Sequence, residues 1–190
     1  MQPRLRKFAL TAHVVSSVGW LGAVAVFLAL SIAGLTSQEA QTVRAAYLAM
    51  ESIGWFVLVP LSFASLMTGL VQSLGTKWGL LRHYWVLVKL VINLVATVVL
   101  LLYMQTLSHF AGIAAETPSS GVNLGELQDA SPVLHAGAAL LLLLVAATLS
   151  VYKPRGMTRY GRRKQRAQRL APAAADATTS PRPPPSGTLP

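Results

Sequence analysis

Apolar residues gather into four long runs, 8–35, 52–74, 84–104 and 132–152, each of about 20 residues or more with few charges inside it. A helix of that length rises about 30 Å, the thickness of a bilayer's hydrocarbon core. The pattern predicts an all-α fold, an integral membrane four-helix bundle over residues 1–152. A tail over 153–190 follows, first basic and then rich in Pro and Ala. Low hydrophobicity and clustered proline in its last twenty residues predict a disordered end. Arg4, Arg6 and Lys7 ahead of the first run, with Ala23, Val24 and Ala25 inside it, resemble a signal peptide with its cleavage site. The run is too long for a signal core, so a retained helix is expected.

Composition agrees with the pattern: 53% of residues are hydrophobic and 12% charged. Net charge is +10, and its placement separates a membrane surface from nucleic acid as the partner. Three basic residues precede the first run, Lys77 and Arg82 lie in the second connection, and nine follow residue 152, together fourteen of the sixteen. Short cytoplasmic segments retain positive charge, so the expected location is the plasma membrane, multi-pass, with both termini inside. The third connection, 105–131, carries Glu116, Glu126 and Asp129 and suits the outer side. Asp129 and Ser131 ahead of Pro132 read as the start of the fourth helix. The basic tail is expected to meet anionic lipid or a membrane partner, with nucleic acid disfavoured. Cysteine is absent, which removes disulfides, thiolate metal sites and c-type haem attachment.

Candidate chemistry lies in the polar residues inside the apolar runs. Lys89 is a cation within the third run, a placement that costs about 2.5–3.5 kcal/mol on insertion scales unless it is paired, faces a cavity or bends to the interface. Asn93 and Thr97 follow at spacings of four and share its face. On the first helix His13, Ser17 and Trp20 make a second stripe, with Gly22 and Ala23 allowing close approach. His13 is five residues past Phe8 and Lys89 five past Tyr84, so the two are expected at one depth, about 7–8 Å inside the boundary. A polar pocket with His13, Trp20, Lys89 and Asn93 as cofactor-binding candidates follows, able to ligate haem iron or a metal or to relay a proton. The bland alternative has Lys89 reaching the headgroups while His13 bonds across the bundle.

Ser62, Ser65 and Thr68 on the second helix read as packing contacts, and Pro60 as a kink. Glu51 reads as an interfacial charge at the outer face, and His83 as a residue of the inner edge. His109 and His135 are expected near the outer interface with Met50 and Met104 at comparable height. Imidazole with thioether suits Cu(I), making His109, His135 and Met104 candidate metal ligands. No phosphate loop, zinc-protease motif, nucleophile elbow or paired intramembrane carboxylate is visible, so nothing supports a hydrolase or nucleotide-driven pump. The absence of a visible inverted repeat argues against transport by one chain.

The first helix contains HVVSSVGWLGA, a histidine followed by tryptophan after seven residues and by glycine two further on. The third contains WVLVKLV, with tryptophan four before a Lys-Leu pair. Together they resemble small bacterial membrane proteins of the broad group around the copper-resistance CopD domain and HemJ-type protoporphyrinogen oxidase. The resemblance implies haem b or copper as cofactor, His13 as the haem-ligand candidate and Lys89 as the lysine of the later helix. The HemJ type carries a further histidine where this chain has Leu100, and a Pro-Arg pair late in the first helix where this chain is apolar. Two function classes remain open: a haem- or copper-binding accessory protein, and a structural or interaction protein, homo-oligomeric or partnered. In the second, deletion of residues 153–190 is expected to abolish association with anionic lipid or a partner in vesicle and pull-down assays. Unchanged association would remove the tail from consideration.

Overall fold

A computed structural model of the chain describes residues 3–75, 84–116, 127–152, 158 and 162–163. His83 and the last twenty residues, expected to be disordered, lie outside the described residues, as does the basic stretch before them except at 158 and 162–163. The described residues are helical without any strand: α1 (Pro3–Thr36), α2 (Ala40–Ile53), α3 (Val59–Gly75), α4 (Tyr84–Glu116) and α5 (Ser131–Tyr152). A π-helical turn, Gly54–Leu58, joins α2 to α3, so the two form a single rod. The described residues thus form four rods, each long and apolar enough to cross a membrane. Their outward faces carry bare apolar side chains such as Phe56, Leu102 and Leu141, as lipid contact requires. This is the architecture of a multi-pass membrane protein.

The rods pack as a ring: α1 against α2 and α3, these against α4, α4 against α5, and α5 against α1. Neighbours are antiparallel, because contacts that ascend one helix descend the next. His13, Gly19 and Gly34 of α1 meet Ser65, Leu61 and Ala46 in that order. On the other side Lys89 meets Ser150, and Tyr103 meets His135. Accordingly α1 and α4 occupy opposite corners. The polar residues near their N-termini face one interior space.

Two helices outrun the apolar stretches expected from the sequence. α2 begins at Ala40 instead of 52, and α4 continues to Glu116 instead of stopping near 104. Both extensions are amphipathic, so a criterion of continuous hydrophobicity passes over them. Val43, Ala46, Tyr47 and Met50 recur at helical spacing on α2 and are buried, as are Leu107, Ala111 and Ala114 on α4. Tyr47 also donates from its hydroxyl to Leu127 O, and its ring packs tilted against Phe110 at 5.7 Å. Part of the expected third loop is therefore core. At its end the Asp129 carboxylate accepts the Ser131 N–H at 2.7 Å, where α5 starts.

Pro60 is accommodated by the π turn that precedes it. Proline has no N–H for the carbonyl four residues back and its ring crowds that carbonyl. The chain widens by one residue just upstream, and Val59 N–H donates to Gly54 O, five positions back. Gly54 lies where α4 crosses: a Cβ there would stand 2.5 Å from Met104 Sδ and 2.6 Å from its Cε, and Met104 is fully buried. Lipid tails are as apolar as leucine, so close packing of this kind holds membrane helices together. Gly54→Leu is expected to destabilise the detergent-solubilised protein by about 1–3 kcal/mol through overpacking. Met104→Ala in the same chain should recover part of the loss, as followed by circular dichroism during unfolding. Strictly additive losses would show that this contact does not set the helix spacing.

Candidate functional site

The two ends of the bundle differ in kind. Toward the α1 C-terminus Trp20, Phe27, Tyr47, Met50, Met104 and Leu107 form a close-packed apolar core. Toward the α1 N-terminus polar side chains replace it, and a cavity of about 580 Å³ opens among the helices. His13 contributes from α1, Gly69, Gln72 and Ser73 from α3, Trp85, Lys89 and Asn93 from α4, and Ser150 from α5. Arg6 lines it as well, and Leu10, Val14, Leu66 and Leu90 supply apolar wall.

Ser65 on α3 holds this end together. Its backbone carbonyl lies 3.1 Å from His13 Nδ1, its hydroxyl lies 2.9 Å from that of Ser17, and Asn93 Nδ2 reaches the same hydroxyl at 3.4 Å. A carbonyl only accepts, so Nδ1 must carry the proton of a neutral His13 ring. Thr68 agrees: its hydroxyl donates to Ala64 O at 2.5 Å and can therefore accept from Nδ1, 3.1 Å away. The ring's lone pair then belongs to Nε2. Gly69 makes room for the imidazole, since a Cβ there would come within 3.2 Å of His13 Cε1.

Lys89 Nζ donates to Ser150 Oγ at 2.9 Å, across to the last turns of α5. The ammonium thus meets a neutral hydroxyl two residues before the end of α5. Asn93 has its Oδ1 buried with no hydrogen-bond partner among the described residues, which leaves the polar network incompletely satisfied. Thr97, the third residue of the Lys89 stripe, is buried and returns its hydroxyl to Asn93 O at 2.9 Å. It serves its own helix.

His13, Lys89 and Asn93 therefore line one cavity, while Trp20 lies elsewhere. Only 2% exposed, Trp20 faces a second, smaller cavity of about 110 Å³ in the apolar half, with Phe27, Leu58, Tyr103, Met104 and His135 on its walls. It is two turns beyond His13, and those turns carry it from the polar end into the core. Of the three metal candidates, Met104 and His135 share that small cavity and His109 is exposed outside it. Met104 is packed on Gly54, and His135 stacks on Tyr103 at 4.1 Å while its Nδ1 donates to Ser131 O at 2.9 Å. Among the described residues no group of three His, Cys, Asp or Glu side chains is placed to hold a metal ion.

Among the polar and aromatic residues of the cavity, Arg6, Gln72, Ser73, Trp85 and Ser150 were not singled out from the sequence as members of the site. Gln72 continues the Ser65 and Thr68 stripe by four residues and donates to Ala9 O at 2.9 Å, a signal the periodicity does contain. Ser150 is a lone hydroxyl near the end of an apolar helix and carries no signal before its neighbour is known. Arg6 and Trp85 were read for topology and family spacing alone. No protein-family model matches this chain, and no curated protein or solved structure matches it either.

Proposed function

We propose that this chain is a plasma-membrane protein with both termini in the cytoplasm, acting as a small cofactor-binding accessory protein through the cavity between His13 and Lys89, with haem b as the cofactor. The carrying observation is the hydrogen bond from His13 Nδ1 to Ser65 O, which leaves Nε2 with the lone pair that ligation needs. Metal-ligating histidines are held by a second hydrogen bond of this sort, which sets tautomer and ring orientation. A volume of about 580 Å³ is in the range of cofactor pockets. Its mixed lining suits an amphipathic ring system, with Arg6 and Lys89 available to its carboxylates and Trp85 and Leu66 to its face. Haem held there would supply one-electron redox chemistry. His13 would ligate, Lys89 and Arg6 would orient, and the helices would exclude water.

Kinship with the CopD-like and HemJ-like group belongs to this proposal and rests on the His13–Trp20–Gly22 and Trp85–Lys89 spacings. Copper fits less well, because His109 stands apart from Met104 and His135 and the Met104 thioether is taken up in packing. The orientation is supported by the fourteen of sixteen basic residues that fall on one side. A second reading, an interaction protein recruiting anionic lipid, a partner or another copy of itself, is favoured by the nine basic residues after position 152.

Purified in detergent, the full-length chain should show a Soret band that His13→Ala abolishes. Fully folded preparations with neither chromophore nor metal would exclude the cofactor reading. An alkaline phosphatase reporter should be inactive when fused after residue 152 and active when inserted between residues 117 and 126. The opposite activities would reverse the orientation.

A further inference from the structure

The cavity brings cations together with no counter-charge among the described residues. Arg6 and Lys89 both line it, and no carboxylate does so among the described residues. The charge distribution of the chain explains why. Of its six acidic residues, Glu39, Glu116 and Asp129 lie at the far end of the bundle, Glu51 lies in its far half eleven residues into α2, and Glu126 and Asp176 are outside the described residues. Lys89 meets a neutral hydroxyl, Ser150 Oγ. A part-buried cation such as Lys89, with a neutral hydroxyl for a partner, attracts an anion far more strongly than a surface lysine does, and Arg6 adds a second, exposed cation on the same cavity. A free ion is one way to meet that demand, but the cavity walls favour a ligand with a tail. Leu10 and Val14, 54% and 50% exposed, line the cavity and continue onto the outer flank of α1. Polar interior and lipid-facing surface are therefore joined along one helix face.

We infer that this cavity binds an anionic amphiphile, its carboxylate or phosphate head between Lys89 and Arg6 and its apolar tail running out along Leu10 and Val14. The inference stands on the two cations and the apolar exit and goes beyond the cofactor reading, since it does not require His13 to ligate anything. A fatty acid and an acidic phospholipid both present this chemistry.

Tryptophan quenching distinguishes them, because Trp85 lines the cavity. The full chain in phosphatidylcholine nanodiscs is titrated with dibromostearate, with the matching brominated alcohol, and with brominated phosphatidylglycerol and phosphatidylcholine. Expected is quenching by an anionic probe at least about tenfold tighter than by its neutral counterpart. Trp85→Phe should remove that component. Lys89→Met should erase the preference, Lys89→Arg should keep it, and Arg6→Gln, at an exposed position, should weaken it without affecting folding. Preference for dibromostearate identifies a carboxylate head, and preference for the phosphatidylglycerol a phosphate head. Equal quenching by charged and neutral probes overturns the inference. So does a preference untouched by both Lys89→Met and Arg6→Gln, or full displacement of the probe by inorganic phosphate alone. A chromophore-free preparation that still prefers the anionic probe sinks the haem reading and leaves this one. A haem-bearing preparation with no preference does the reverse.

Discussion

Hydrogen bonding across helices at Ser65 is the interaction on which the rest of this structure depends. In an apolar medium no water is at hand for a serine, asparagine or histidine side chain, so each must find its partner on a neighbouring helix or on its own backbone. Ser65 answers for three of them at once, receiving His13 at its carbonyl and meeting Ser17 and Asn93 at its hydroxyl. Such bonds contribute modestly, averaging about 0.6 kcal/mol in membrane proteins, so the network's value is chiefly geometric. It sets which faces of α1, α3 and α4 meet and how deep they meet. His13 acquires its tautomer and its orientation from that arrangement.

The packed half makes the open half possible. Around Gly54 the helices approach as closely as a missing side chain allows, and Met104 fills the contact. The π turn before Pro60 restores hydrogen bonding where a regular helix would lose it, and α2 and α3 continue as one rod into the polar end. With spacing set by that contact and by the core around Trp20 and Tyr47, the other end can hold a cavity of about 580 Å³ without loss of the bundle. Polar side chains and residual space then coincide, a condition for binding that a fully packed end would not offer.

How much of the site was legible depends on whether its members share a helix. Lys89 with Asn93, and His13 with Ser17, follow from spacing alone, because residues four apart lie on one face. Equal depth for His13 and Lys89 follows from rise per residue and from counting into each helix. Trp20 illustrates the limit: it shares the His13 face, yet two turns of axial travel move it from cavity to core. His109 illustrates another, being five residues and therefore well over a third of a turn away from Met104 around the α4 axis. Comparable height did not bring the two onto one face.

The chain's own order of residues determined the number of membrane-length helices, their apolar outer surfaces, the concentration of positive charge at one end and the presence of a lysine where lipid would be. These follow from length, hydropathy and charge, which are sums along the chain and need no knowledge of neighbours. Tertiary structure decided the partners. It placed α1 and α4 at opposite corners, joined Lys89 to Ser150, gave His13 to Ser65, set Met104 on Gly54 and extended α2 and α4 through amphipathic segments. Contacts between helices depend on which ridge meets which groove, and many rotations of an apolar cylinder are nearly equal in lipid until a few small and polar residues break the tie.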